Sequence, residues 1–197
     1  IRRATEDGAE ISIFVRLAAE LDAVDVSYRG EHLPRTDSRL HAALHTSLGA
    51  ALPEYELIHD HPFGLSTIDP QGEYWRKYPT GDWMTSPQVY EKVHNPFTAL
   101  QLLDFAGEER GLLFVHDGSQ ALWREGAVIK HVLTMYDAWD EDYYVDKIDI
   151  NVRIVPHGRM THARRWKLAQ EFVRPPYAAV GEGEGGELPA KFAGLWC

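Results

Sequence analysis

His59, Asp60 and His61 carry the most specific chemistry on offer in this chain of 197 residues. On a β-strand alternate side chains share a face, so His59 and His61 would point one way and Asp60 the other. Neutral imidazole is the commonest metal ligand. A catalytic zinc site takes three protein ligands and keeps one position open. No spacing in the sequence supplies the third. A second pair, His41 and His45 in "HAALH", lacks the Glu of an H-E-x-x-H zinc motif. Both pairs read more plainly as exposed histidines on a strand face, and no metal ligand is assigned. A metal-dependent enzyme built on His59 and His61 stands as a minor rival.

Carboxylates come next. Asp137, Asp140, Glu141 and Asp142 offer the oxygens that calcium takes. The glycine and closing glutamate of the EF-hand loop are missing, so the run reads as a solvated loop. Glycoside hydrolysis needs two carboxyl groups flanking the bond. Among 30 acidic residues some pair always lies close, and none has a catalytic context. A serine nucleophile elbow, a phosphate-binding glycine loop and a dinucleotide fingerprint are absent. No catalytic residue is assigned. Tyr74, Trp75, Tyr78 and Trp83 are different: flat rings can stack on the C–H face of a sugar. These four are candidate carbohydrate contacts, beside the more ordinary reading that they pack against the sandwich or another domain.

These residues need a frame. "ISIFVRL" and the run around Val24, Val26 and Tyr28 read as strands with a turn at Glu20–Asp22. "SRLHAALHTSLGAAL" fits a helix by its Ala and Leu content and a strand by its alternation, and stays open. "YELIHDHPFG" reads as a strand ended by Pro62 and Gly64, where a long excursion begins, placed at 69–96. From residue 98 the strands follow at about ten-residue spacing with Gly at the turns, as in an antiparallel sandwich. "TALQLLDFA", "LLFVHDG", "SQALWREG" and "AVIKHVLTMY" are four of them. Ile148, Ile150, Val152 and Ile154 alternate with Lys147, Asp149, Asn151 and Arg153, the cleanest half-buried strand. "RMTHARRWKLAQEFV" reads as a helix ended by Pro175. The expected fold is mostly β, an antiparallel β-sandwich with few short helices.

Composition narrows the partners. The formal net charge of -10 argues against a nucleic-acid backbone and an anionic membrane surface. A neutral partner, such as a sugar, suits it. No apolar run approaches the ~20 residues of a membrane-spanning helix. The single cysteine, Cys197, allows no internal disulfide and favours a reducing, cytoplasmic compartment. Ile1 and the final "FAGLWC" read as cuts through a longer protein.

The order of segments resembles the C-terminal β-region of glycoside hydrolase family 38, the α-mannosidases. Pro62, Phe63 and Gly64 match its Pro-Phe-Gly. Asn95, Pro96 and Asp104 match an Asn-Pro and a strand ending in Asp. Gly111 to Gly118 matches a Gly-led strand with an Asn/Asp-Asp-Gly turn, here "HDG". Val132-Leu133-Thr134 stands at a Leu-Thr-Leu strand, and Pro156 and His157 at a closing Pro-His. The likeness covers residues 10–180. Met135-Tyr136-Asp137 replaces an Arg-Ser-Pro and "YYVDKID" a Gly-x-His, the mark of a divergent branch.

The resemblance implies a supersandwich of the galactose-mutarotase type over 1–180, with a Gly/Glu-rich loop and a truncated strand at 181–197. It implies that zinc and the aspartate nucleophile belong to an N-terminal barrel whose His-x-Asp and His-Asp motifs this chain lacks. The chain itself would need no cofactor. Its partners would be the catalytic domain of the same parent chain and carbohydrate, and its role non-catalytic. The alternative is a free-standing carbohydrate-binding sandwich module.

Overall fold

The computed structural model describes residues 2–4, 10–17, 19–33, 42–52, 54–68, 96–125, 128–135 and 147–174. Among them run β1 (Arg2–Ala4), β2 (Glu10–Leu17), β3 (Val24–Glu31), β4 (Ala42–Leu48), β5 (Glu56–His61) and β6 (Gly64–Ile68). Then come β7 (Pro96–Thr98), β8 (Leu102–Ala106), β9 (Gly111–His116), β10 (Ala121–Glu125), β11 (Val128–Met135), β12 (Ile148–His157) and helix α1 (His162–Val173). No helix among the described residues is long and apolar enough to cross a membrane.

The strands form two antiparallel sheets, packed as a β-sandwich. The larger has the order β1-β2-β3-β12-β9-β8-β5-β6, the smaller β4-β11-β10-β7. Period-2 alternation decides which side chains go where. On β12, Ile148, Ile150 and Val152 point between the sheets, and Asp149, Asn151 and Arg153 point away. The inner core joins Leu103, Phe105 and Phe114 of the large sheet to Leu122, Ile129 and Leu133 of the small one. Leu102, Leu113, Val115 and Val155 face the opposite way and are covered by α1 through Ala169, Leu168 and Phe172. The Thr161 hydroxyl accepts from the Arg164 N–H and caps the start of α1.

The open segment of the sequence resolves as a strand. β4 pairs with β11, with Leu48 opposite Ile129. Pairing on a sandwich edge outweighs its helix propensity. Two expectations need correction. "HDHPFG" does not lead into the long excursion: Pro62 and Phe63 turn a hairpin, and β6 follows, with Gly64 at φ 138°. That φ is open to glycine and strained for any other residue. Of the excursion placed at 69–96 only Pro96 is described, and it belongs to β7; residues 69–95 lie outside the described residues.

"TALQLLDFA" is not one strand either. β7 lies in the small sheet and β8 in the large one, so the chain crosses between sheets at 99–101. Tyr74, Trp75, Tyr78, Trp83, the acidic run 137–142 and Cys197 lie outside the described residues.

Candidate functional site: ion clusters and buried imidazoles

The strand alternation places His59 and His61 on one face and Asp60 on the other, as their spacing predicts. The reading of exposed histidines fails for His59, which is buried. Its Nδ1–H donates to the Thr98 carbonyl at 2.6 Å. His61 Nδ1 accepts from the Phe63 N–H, so its Nε2 carries the proton and donates to Ser66 Oγ at 2.7 Å. The two rings lie 5.9 Å apart, centre to centre. Each imidazole serves its own local bond. Among the described residues no group of three or more His, Cys, Asp or Glu converges as a metal cage would.

Asp60 is fully buried and accepts from the backbone N–H groups of Gln101 and Leu102 at 3.0 Å. Those are the amides freed where the chain leaves one sheet for the other. Its carboxylate takes the place of a strand partner at that corner.

The most deeply buried ion pairs among the described residues lie on the face under α1. Asp104, on β8, has 0% exposure. Its Oδ1 accepts from His157 Nε2 at 2.8 Å and its Oδ2 from Arg165 Nε at 2.5 Å. Arg165 Nη1 donates to the Met160 carbonyl at 2.5 Å. His157 stands at the end of β12, and β9 runs between it and Asp104. Gly111 makes the bridge possible. It pairs directly with His157, and a Cβ there would meet the imidazole Cε1 at 2.1 Å. The ring lies across the bare glycine to reach the next strand.

Both nitrogens of His157 face acceptors, Nε2 the carboxylate and Nδ1 the Gly158 carbonyl at 2.5 Å. A ring that donates from both nitrogens is an imidazolium. Burial pushes this group down. The Asp104 bond, the Gly158 carbonyl and the Asp104 charge outweigh that and the repulsion of Arg165, and hold it above the ordinary imidazole range.

A groove of about 550 Å³ opens beside the cluster, lined by Glu54, Glu56, Glu108, Arg159 and His162 among others. The chemistry at its floor is static. His157 has no free lone pair to act as a base. Asp104 is enclosed between two cations and presents no oxygen to a substrate. This arrangement holds the helix, β8 and β12 together.

A second pair of imidazoles lies between the sheets. His116 and His131 are fully buried with ring centres 4.8 Å apart, and Phe114 packs edge-on to His131. His131 Nε2–H donates to the Ser119 carbonyl at 2.6 Å. The Ala99 and Gly118 carbonyls lie near enough to favour a charged His116, yet neither is at hydrogen-bonding geometry. Burial pushes His116 down to about 3, and the neighbouring His131 adds to it. Burial lowers His131 as well. Both are neutral, core-filling rings.

Asp104, Gly111 and His157 stand out in the sequence only as pieces of the family pattern. Arg165 has a signal of its own. It falls on the buried stripe of α1 with Leu168, Ala169 and Phe172, and a buried guanidinium requires an anion.

No family model matches the chain, and no curated protein matches it. Among solved structures it is similar to an alpha-mannosidase from Enterococcus faecalis V583, with 13% sequence identity and a TM-score of 0.61. The superposition covers 90% of this chain and 19% of that one. The chain thus spans about a fifth of the length of that protein, and the likeness is one of fold.

Proposed function

We propose that this chain is the non-catalytic β-sandwich portion of an α-mannosidase-like retaining glycoside hydrolase of family 38. It would support the catalytic domain of the same parent chain and border the sugar cleft. The observation that carries the reading is the superposition of 90% of the chain on a small part of an alpha-mannosidase. The ordered motifs from Pro62 to His157 point the same way. In this reading zinc and the nucleophile belong to the catalytic portion. The exposed Val15 and Leu17, which share the inner face of β2, are side chains that a neighbouring domain would cover.

The purified chain is expected to leave an aryl α-mannoside intact, and deleting residues 1–180 from the full-length parent is expected to abolish its soluble activity. Hydrolysis by the chain alone, or a parent that stays active without it, would overturn the reading. The second reading, a carbohydrate-binding sandwich, draws on the outer face of β2, β3 and β12.

A further inference from the structure

Beyond the C-terminal end of α1 the large sheet carries a groove of about 560 Å³. This is within the roughly 300–1,000 Å³ of small-molecule sites. The strand register sets its floor in rows. Phe14 pairs with Ser27 and Ser27 with Asn151. Ser27 Oγ–H donates to Asn151 Oδ1 at 2.7 Å, and Asn151 Nδ2 donates to Asp117 at 2.8 Å. One row along, Arg153 grips Asp25 through two bonds of 2.6 and 3.0 Å, and Arg16 adds a third at 2.6 Å. The Arg153 bond, against burial and with help from Arg16, holds the Asp25 carboxyl below the usual carboxylate range.

The walls are aromatic. Phe14 rises from β2 with 53% of its surface exposed, and the Arg29 guanidinium lies 5.3 Å from its ring centre. On the other side stands Phe172 of α1, with the Arg153 guanidinium 4.9 Å from its centre. A guanidinium thus backs each ring.

Three properties define what would fit. The charges in and under the groove balance, Arg16, Arg29 and Arg153 against Asp25, Asp117 and the Asp149 that pairs with Arg29, in a chain with a net charge of -10. An ion of either sign gains little there. Donors and acceptors are interleaved along the floor, which suits hydroxyl groups because each both donates and accepts. The exposed face of Phe14 is apolar and flat, matched to a patch of C–H groups. A pyranose ring presents both surfaces at once.

We propose that the groove between Phe14 and Phe172 binds a neutral saccharide, with Phe14 as the stacking platform and Ser27, Arg29, Asp117 and Asn151 as hydroxyl partners. The proposal uses none of the aromatic residues 74–83. It stands on this face alone, so its failure leaves the architectural role untouched, and the loss of that role leaves the groove.

The test is amide NMR of the full chain titrated with methyl α-D-mannoside and with α-linked manno-, β-linked gluco- and galacto-oligosaccharides, into the tens of millimolar. Saturable shifts at Phe14, Ser27, Arg29 and Asn151 are expected with at least one sugar. Phe14→Ala, at an exposed position, is expected to weaken that binding by roughly tenfold, the worth of about 1.4 kcal/mol of ring contact. Phe63→Ala at the distant hairpin tip, where the ring is 95% exposed, is expected to leave it unchanged. No saturable shift with any sugar, shifts confined to another face, or full binding by Phe14→Ala would each overturn the proposal. Displacement of these same shifts only by peptides, and not by sugars, would overturn it too.

Discussion

A histidine bonded on both sides by acceptors behaves as a cation, and His157 is one. Its folded-state value lies above the ordinary 6.5, so the stabilisation it gives is complete below that value. It is lost as pH rises through the raised folded value. The Asp104 carboxylate from β8 and the Gly158 carbonyl set this sense, against burial and the charge of Arg165 from α1; Glu54, Glu56, Glu108, Arg159 and His162 line the groove beyond. His157→Gln keeps a donor and loses the charge. It is expected to cost about 1.5–3 kcal/mol at pH 6, the range for a hydrogen bond to a charged group. The difference from the parent chain should shrink at alkaline pH, as measured by urea unfolding. Gly111→Ala should cost as much or more, since the added methyl meets backbone-anchored imidazole atoms rather than a flexible chain end. An unaltered midpoint in Gly111→Ala would show that the bridge across β9 is not needed.

At the scale of elements, the corner at 99–101 decides the architecture. His59 holds the Thr98 carbonyl, Asp60 the next free amides, and the His116 N–H the Gln101 carbonyl at 2.8 Å. Asp60→Ala would leave buried amides without an acceptor. A loss of about 3–5 kcal/mol in thermal or denaturant unfolding is expected, the cost of losing a buried charge-assisted group. Asp60→Asn, which keeps one accepting oxygen, should lose less. Equal stability of Asp60→Ala and the parent chain would refute the role given to this carboxylate.

The same corner shows why the sequence is legible in some places and not in others. The strands from β9 onward read well because Gly-marked turns separate alternating runs, and β12 is legible residue by residue. "TALQLLDFA" reads as one strand because its apolar pattern never breaks. The bend is imposed by Asp60, 41 residues from Gln101 in sequence, and local periodicity carries no trace of it. The face choice of His59 is legible but its burial is not, since the small sheet that covers the face is a tertiary fact. The ion cluster is half legible, with Arg165 visible on the buried stripe of α1 and its anion 61 residues away in sequence.

For the whole molecule, the two sets of imidazoles oppose one another. His116, held at about 3 when folded, takes up a proton only on unfolding as pH falls from 6.5 towards that value. Stability is full above 6.5 and should fall by about 1.4 kcal/mol per pH unit below it for this one group. His131 acts in the same sense. His116→Leu is expected to flatten the acid limb of the unfolding profile, and His157→Gln the alkaline limb. An acid limb unchanged in His116→Leu would place the proton uptake elsewhere.

The join between β6 and β7 sits at the rim of both sheets. It leaves from β6, the last strand of the large sheet, and returns at β7, the last strand of the small one. Neither end interrupts a ladder between interior strands. Lengthening such a connection costs little, because closure entropy grows only with the logarithm of its length. The corner at 99–101 links the two sheets by itself. The join between β6 and β7 is thus a cassette position: what the chain carries there can be exchanged or lengthened while the registers of β5 with β6 and of β7 with β10 are left to the frame.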